Sequence, residues 1–395
     1  MNSKERVKAA IDKKPVDHPP LGLYATDHDT ISKVIGRPTL LRNRVEWTLA
    51  LWGGRRDEAV ESMKQDIVDY YTKLDCVDLI TAKEAFRVPP KGFYIENPPK
   101  KIDEKTYRDD RLKGFWKLEP CANDVMFFPD DSEHEFTVDE FASREFLPGP
   151  VMKDFVPHGG HVCRYIPDPS EYELMDYLAE KIGNDRYLMI VNEHVSLTLL
   201  GGIENGLITL ALQPDVVKAA NEQDVFRQNV LDQYMIRPWA DGILTERDMA
   251  GTNGPMISPA MFRELCFPYF KERLAHMRKY CRQIIFHNCG NNIPLLDQFI
   301  DAGIDGYQSI QTTSAMSISA LKEASNGKLA IWGAVPLEML IEGTPADVRK
   351  AVRKCFEEAD GFPGFILGPS HSIAFGTKYD NFMAMLDEFN RLSDA

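Results

Sequence analysis

The fold and the candidate chemistry meet in residues 283–310, which read QIIFHNCGNNIPLLDQFIDAGIDGYQSI. A short apolar run ends in His287 and Cys289, a helical pattern follows, and a second strand-like run begins after Gly303. Side chains two residues apart in an extended segment point to the same side. We therefore expect His287 and Cys289 to present an imidazole and a thiol together where a strand gives way to a loop. Both groups are good ligands for a cation such as zinc.

The alternation of short apolar strands with amphipathic helices recurs along the chain. After a first predicted strand at 76–81, further strands are predicted at 187–191, 242–245, 284–286, 305–310, 329–332 and 365–367. Such alternation is typical of an α/β fold in which right-handed crossovers join parallel strands. The number of units, about seven or eight, favours a closed (β/α)8 TIM barrel over an open sheet. Neither a Gly-rich dinucleotide loop nor a GxxxxGK[ST] segment occurs, so the usual signals for Rossmann and P-loop folds are missing.

Residues 85–170 interrupt this regular pattern. They are rich in proline, aromatic and acidic residues, and they show no helical period before Glu140. Their aromatic content argues against disorder. We expect residues 1–395 to form a single barrel domain that carries 85–170 as an ordered, cap-like insertion in its N-terminal half. The alternative is that 85–170 is a structural insertion that does not cover a pocket.

The composition excludes several classes of protein. The chain has 395 residues, 44% of them hydrophobic, which suffices for one large barrel or two ordinary domains. The formal net charge of −14 argues against nucleic acid and anionic membranes as partners, because both reward clustered Lys and Arg. The N-terminus lacks the apolar core of a secretory signal, and no run of about 18 apolar residues predicts a membrane span. Seven cysteines without a framework spacing favour a reducing cytoplasm over a disulfide scaffold.

Polar side chains that follow the predicted strands define a candidate site, because active sites of TIM barrels lie at the C-terminal ends of the strands. These residues are Glu193, His194, Glu246, Asp248, His287, Cys289, Tyr307, Gln308 and His371. Each of these residues, taken alone, is also explained by a purely structural role. His194 would serve equally as a hydrogen-bonded core residue, Glu193 as the partner of an arginine, and Cys289 as a small buried filler.

Several motifs resemble those of the uroporphyrinogen decarboxylase superfamily, which includes the cobalamin-dependent methyltransferases. The resemblance covers nearly the whole chain. It rests on residues 5–7 and 15–19, on Ile257-Ser258-Pro259, on the segment from Phe286 to Gly290, on Gly333-Ala334-Val335, and on 364–373. A barrel fold is what this resemblance implies, in agreement with the strand pattern.

Two branches of the superfamily differ at these motifs. The decarboxylases carry an arginine-rich N-terminal signature, which is missing here, and they lack the H-x-C pair at the position of His287 and Cys289. The methyltransferase branch has this pair and a later cysteine, and the three side chains bind zinc. The later position falls on His371 in this chain, so a histidine stands where a cysteine is expected. The resemblance implies a zinc site of His287, Cys289 and His371, or else a contact of His371 with the substrate.

The methyltransferase branch implies transfer of a methyl group between a methoxylated small molecule, with an aromatic compound as one candidate, and a corrinoid. No D-x-H-x-x-G segment occurs, so the cobalamin would be carried by a separate protein. Asp248 and Glu246 are the candidate general acids or orienting groups, and Glu193, His194, Tyr307 and Gln308 are the candidate substrate contacts. A homodimer is compatible with this picture. The alternatives are a metal-independent decarboxylase, a thiol-methylating corrinoid enzyme, and a non-catalytic barrel that binds a tetrapyrrole or a metal.

Overall fold

The N-terminal part of the chain supplies the first two strands of a barrel. The computed structural model describes residues 1–130, 134–145 and 165–394, so the remainder of the predicted insertion, Cys163 included, lies outside the described residues. The first elements are α1 (Ser3–Ile11), β1 (Gly22–Leu23), α2 (His28–Ile35), α3 (Arg44–Trp52), α4 (Arg56–Lys73) and β2 (Leu79–Thr81). The strand predicted at 76–81 is therefore the second one. The sequence prediction missed β1 because two residues are too short to show a period.

The middle of the chain forms a small antiparallel sheet. Its strands are β3 (Lys100–Lys101), β4 (Thr106–Asp109), β5 (Gly114–Glu119) and β6 (Asp124–Pro129), in that order across the sheet. Short 3-10 helices lie at Pro120–Ala122, Asp139–Phe141 and Pro169–Tyr172. Trp116 and Leu118 of β5 are buried together with Val45 of α3. The sheet is therefore fastened to a helix of the barrel by its own small apolar core.

The rest of the chain alternates strands and helices. Its elements are α5 (Glu173–Ile182), β7 (Tyr187–Val191), α6 (Ile203–Leu212), α7 (Pro214–Met235), β8 (Gly242–Glu246), β9 (Ala250–Gly251), β10 (Gly254–Pro255), α8 (Pro259–Leu265), α9 (Phe267–Met277), β11 (Gln283–His287), α10 (Leu296–Ala302), β12 (Gly306–Gln308), α11 (Ile318–Ala324), β13 (Ala330–Val335), α12 (Leu337–Ile341), α13 (Pro345–Ala359), β14 (Phe365–Pro369) and α14 (Tyr379–Ser393). Short 3-10 helices lie at Ile293–Leu295 and Thr312–Ser314.

Local sequence signals set several of these boundaries. The Ser258 hydroxyl accepts the amide N–H of Met261 and begins α8, which has a proline at its first position. A capping box between Thr344 and Asp347 begins α13. Gly303 ends α10 with φ of 106°, a left-handed conformation that glycine adopts without steric cost.

In the described parts of the chain, eight parallel strands form the barrel, in the order β1-β2-β7-β8-β11-β12-β13-β14. Parallel bridges from Leu21 to Leu367 and from Thr26 to Ile373 join the two end strands. The predicted TIM barrel is therefore confirmed. Because all strands run the same way, the residues that follow them meet at one rim, which we call the mouth.

Helix α1 closes the opposite end of the barrel. Its buried Val7, Ala10 and Ile11 pack on side chains that fill the barrel interior, among them Trp332. The ammonium of Lys4 lies 2.9 Å from an oxygen of Asp241 just before β8, and the guanidinium of Arg6 lies 2.6 Å from Asp78 just before β2. Among the described residues, no helix combines the length and apolar character that a membrane crossing requires.

Candidate metal centre at the barrel mouth

Three potential metal ligands converge at the mouth. His287 is the last residue of β11, Cys289 follows it in the next loop, and His371 follows β14. One nitrogen from each imidazole and the thiol sulfur lie within 4.8 Å of one another. The Nε2 atom of His287 is 3.5 Å from the Sγ atom of Cys289. The residues predicted as ligands from two distant segments therefore share one small volume.

The imidazole of His287 is held on its edge and on its face. It is 4% exposed, and its Nδ1 is hydrogen-bonded to the side-chain oxygen of Gln308, the last residue of β12. An amide oxygen accepts only, so Nδ1 carries the proton and Nε2 presents its lone pair to the cluster. The ring of Tyr24 stacks on His287 with centroids 4.2 Å apart and planes 7° apart.

The thiol of Cys289 lies in a polar but water-poor environment. The Ser309 hydroxyl donates to the carbonyl of Ser370 at 3.0 Å, and its oxygen lies 3.2 Å from the Cys289 sulfur. Ser309 thereby links the loop that follows β12 to the one that follows β14. Burial raises the pKa of the Cys289 thiol to about 12, and the carboxylate of Asp248 adds to this effect. A thiolate at neutral pH therefore requires a bound cation.

The second imidazole, His371, is neutral as well. Burial lowers its pKa to about 4, and neighbouring His287 acts in the same direction. Burial also lowers the pKa of His287. Neutral imidazoles are the form in which histidine binds metals. The ring centroids of the two histidines lie 5.3 Å apart in an edge-to-face arrangement.

A network of hydrogen-bonded polar side chains borders the cluster. The Lys83 ammonium lies 2.6 Å from both carboxylate oxygens of Glu246, the last residue of β8, and the Tyr24 hydroxyl donates to the same carboxylate. Burial alone would raise the pKa of Glu246, but Lys83 and its other partners lower it to about 2. Glu246 is therefore a carboxylate at neutral pH, which argues against its role as a general acid and fits an orienting one.

Asp248 stands closer to the cluster. One of its carboxylate oxygens accepts the amide N–H of Cys289 at 2.9 Å and lies 3.9 Å from Nε2 of His287. Its side chain is 56% exposed, so it reaches both the solvent and the candidate ligands. Of the two acids predicted as catalytic, Asp248 has the position from which a proton can be exchanged with a bound molecule.

Three of the four predicted substrate contacts point elsewhere. Glu193 pairs with Arg227 of α7 at 3.1 Å. His194 is hydrogen-bonded to Ser196 and packs edge-on against aromatic rings outside the barrel, and burial lowers its pKa to about 3. Tyr307 is fully buried and donates its hydroxyl to the carbonyl of Asn288. The fourth, Gln308, contacts His287 as described.

The structure adds residues that the sequence did not indicate. Tyr24 follows β1, Lys83 follows β2, and Arg42 lies in the loop before α3. Arg42 contacts Asp27, whose carboxylate also accepts the amide N–H of Phe375. The short apolar run at 21–23, directly after two prolines, is the signal from which a strand that ends just before Tyr24 could have been inferred.

The donor set fits zinc. Two imidazole nitrogens and a cysteine sulfur are ligands that catalytic zinc sites use, with one position left for a substrate. The amide of Gln308 on His287 is the supporting contact that orients such ligands. The residues that would hold the ion are His287, Cys289 and His371.

Comparison with known proteins supports the resemblance. Residues 240–392 match the family model described as Uroporphyrinogen decarboxylase (URO-D). A solved methyltransferase from Methanosarcina mazei aligns with a TM-score of 0.63 at 17% identity, over 99% of this chain and 99% of that chain. At this identity the likeness shows the fold alone. No curated protein sequence matches the chain.

Two further structures align poorly. A Listeria monocytogenes protein, provisionally assigned as a vitamin-B12-independent methionine synthase, has a TM-score of 0.36 at 17% identity over 55% of this chain and 66% of that one. A hyperthermophilic endo-beta-1,4-glucanase has a TM-score of 0.31 at 12% identity over 54% of this chain and 76% of that one.

Fold and site thus define a TIM-barrel protein with a cluster of metal-ligand side chains at its mouth. The match over residues 240–392 to the uroporphyrinogen decarboxylase family model agrees with the barrel fold and with the resemblance of the sequence motifs.

Proposed function

We propose that this protein is a zinc-dependent methyltransferase that moves a methyl group from a methoxylated small molecule to a corrinoid on a separate protein. The approach of His287, Cys289 and His371 to within 4.8 Å of one another at the mouth carries this proposal. The H-x-C pair is the one found in the methyltransferase branch of the superfamily. The barrel aligns over its full length with a protein named as a methyltransferase from Methanosarcina mazei, so the fold is compatible with this reaction.

The residues of the mouth would have separate roles in this reaction. His287, Cys289 and His371 would hold zinc, which would supply a Lewis acid for the ether oxygen of a methoxy group, and the corrinoid of the partner protein would supply the methyl acceptor. His287 and His371 offer neutral nitrogens to the metal. Cys289 would lose its proton on metal binding, and Asp248, with an oxygen 3.9 Å from Nε2 of His287 and a side chain that is 56% exposed, is placed to pass a proton between solvent and the leaving oxygen.

The other polar groups of the mouth would hold the candidate zinc ligands and Tyr24 in position. Gln308 fixes the tautomer of His287, and the buried hydroxyl of Tyr307 holds the loop that carries Cys289. The Glu246 carboxylate with Lys83 holds Tyr24 against the face of His287. We also propose that residues 1–395 form one domain and that the 85–170 insertion roofs the pocket of an aromatic or otherwise bulky methyl donor.

The first test is the metal content of variants. Protein purified without chelator should contain close to one zinc per chain, and Cys289→Ser should lose most of it, because an alcohol is a far poorer zinc ligand than a thiolate. Cys281→Ser is the matched control, since Cys281 is buried elsewhere with its sulfur 3.4 Å from the carbonyl of Ala240. Zinc-free unaltered protein with an intact fold, or zinc retained in Cys289→Ser, would contradict the proposal.

The second test is the reaction. Methoxylated donors are offered to the zinc-loaded protein with reduced cobalamin, and the methyl transfer is followed by the cobalamin absorbance. The reverse assay, with methylcobalamin and a thiol, separates demethylation from thiol methylation. Transfer only to a thiol would replace the proposed direction by its alternative.

A metal-independent decarboxylase is the second candidate, and the description of the matching family model favours it. That reaction would proceed in zinc-free protein and release carbon dioxide from a carboxylated tetrapyrrole. Tetrapyrrole binding without turnover in either assay would instead indicate a non-catalytic barrel.

A further inference from the structure

Arg42 is a guanidinium held inside the mouth. Its side chain is 16% exposed, and its Nε donates to a carboxylate oxygen of Asp27 at 2.8 Å. The other oxygen of Asp27 accepts the amide N–H of Phe375 at 3.0 Å, and the Asp27 amide donates to the carbonyl of Ile373 at 2.9 Å. Arg42 is therefore fixed relative to the loop that carries His371.

The outer edge of this guanidinium is unused. Within the part of the chain that the structure describes, no group accepts a hydrogen bond from either Nη atom of Arg42, and neither atom is buried without a partner. Both Nη atoms therefore reach solvent. The backbone of Arg42 has φ of 53°, a conformation that costs a non-glycine residue free energy and that recurs at functional sites.

The pair of Arg42 and Asp27 lies at the rim beside the candidate metal centre. Asp27 contacts the loop that carries His371, and Tyr24, three residues before Asp27, stacks on His287 and lies edge-on to His371. Of the other cations at the mouth, Lys83 is occupied by Glu246 at 2.6 Å, and Arg247 has no described partner that holds its guanidinium in place. Among the described residues, Arg42 is thus the cation of the mouth that a carboxylate holds in place while its Nη donors stay free.

We infer that Arg42 binds a carboxylate of the substrate through its two Nη groups, so that the methyl donor is a methoxylated carboxylic acid. A planar pair of N–H donors matches the two oxygens of a carboxylate, and the contact to Asp27 holds that plane in place. This inference rests on the proposed function for the methoxy group, but the acid subsite itself requires no turnover.

The test compares binding of two probes to the full chain by calorimetry. The probes are 4-methoxybenzoate and its uncharged analogue 4-methoxybenzamide. The unaltered protein should bind the benzoate about tenfold or more tighter than the amide, as expected for charge-assisted hydrogen bonds. Arg42→Gln should abolish this preference, and Arg42→Lys, which keeps the charge but not the planar fork, should reduce it.

Arg247→Gln is the matched control. Arg247 follows β8, and its side chain makes no hydrogen bond or ion pair with any described residue, so its removal should leave the preference unchanged. Thermal unfolding and zinc content verify that the Arg42 variants are folded. If Arg42→Gln does not fold, the folded Arg42→Lys variant still tests the inference.

Three results overturn the inference: no binding of the benzoate to the unaltered protein, equal binding of acid and amide, or a preference that survives Arg42→Gln. Because these are equilibrium measurements without corrinoid, the acid preference can persist although methyl transfer fails. Equally, zinc binding and transfer can persist although the preference is absent. The two failures are therefore distinguishable.

Discussion

At the scale of single residues, the orientation of one imidazole decides whether the cluster can bind a metal. His287 gives its Nδ1 proton to Gln308, so the second nitrogen is free for a cation. The spacing of His287 and Cys289 predicted that the two side chains would lie together. The supporting partners were not predictable, because Tyr24 and Lys83 are 222 and 163 residues away from Glu246 in the chain.

Removal of the Gln308 amide should weaken metal binding. In Gln308→Met the imidazole loses its hydrogen-bond acceptor and both tautomers become accessible. We expect the zinc affinity to fall by roughly tenfold to a hundredfold, as measured by competition with a chromogenic chelator. Gln308→Glu, which restores an acceptor, should recover most of the affinity.

Gln298→Met is the control for this prediction, because Gln298 is also a buried glutamine but donates to the carbonyl of Pro259 on α8. Two-bond proton–nitrogen spectra of histidine-labelled protein should show the Nδ1–H tautomer of His287 in Gln298→Met and a mixture in Gln308→Met. Unchanged affinity and tautomer in Gln308→Met would contradict the proposed role.

At the scale of elements, the loop after β11 is shaped by its contact with the β9–β10 hairpin. The Asn291 amide donates to the carbonyl of Gly251 at 2.9 Å, and the Gly290 amide donates to Gln311 at 3.0 Å. Gly290 has φ of 82°, and a Cβ atom there would lie 2.3 Å from the carbonyl oxygen of Ala250. Neither the hairpin nor its contact with the loop left a signal in the sequence, because both pairs of strand residues are short.

Gly290→Ala should therefore damage both the fold and the metal centre. The clash is with backbone and the left-handed conformation is unfavourable for alanine, so we expect a loss of about 2 to 4 kcal/mol in the free energy of unfolding. Zinc content should fall as the loop moves Cys289. Urea unfolding and metal analysis measure the two effects.

Gly251→Ala, in the facing hairpin, is the control, since no atom lies within 4 Å of a Cβ built there. Equal stability of the two alanine variants would show that the loop adapts. By contrast, the helix boundaries around this region were predictable. Ser258 and Pro259 begin α8, and Pro268 marks the break between α8 and α9.

At the scale of the whole molecule, one buried acid makes stability depend on pH. Glu84, shortly after β2, is 0% exposed, and burial raises its pKa to about 7 although Arg42 acts against this. Its folded pKa lies above the unfolded one. The native state therefore binds more protons, and the stabilisation present below the unfolded pKa of about 4.5 is lost as the pH rises through 7.

Glu84→Gln should remove this dependence. Relative to the unaltered protein, the variant should gain on the order of 2 to 3 kcal/mol in the free energy of unfolding between pH 5 and pH 8. Urea unfolding at the two pH values, followed by tryptophan fluorescence, gives the difference. Glu58→Gln, at a side chain that is 74% exposed, should show no such change. If the free energy of unfolding of Glu84→Gln changes between the two pH values as much as that of the unaltered protein, Glu84 is not the source of the pH dependence.

Because α1 closes one end of the barrel, molecules can reach its interior only from the other end. With Val7, Ala10 and Ile11 packed into its base, the described barrel is a cup and not a tunnel. Under the proposed function, the methyl donor, its product and the carrier protein would all reach the site through the one open end of the barrel, beside His371. A carrier bound there would block this opening, so small molecules would exchange only while the carrier is dissociated.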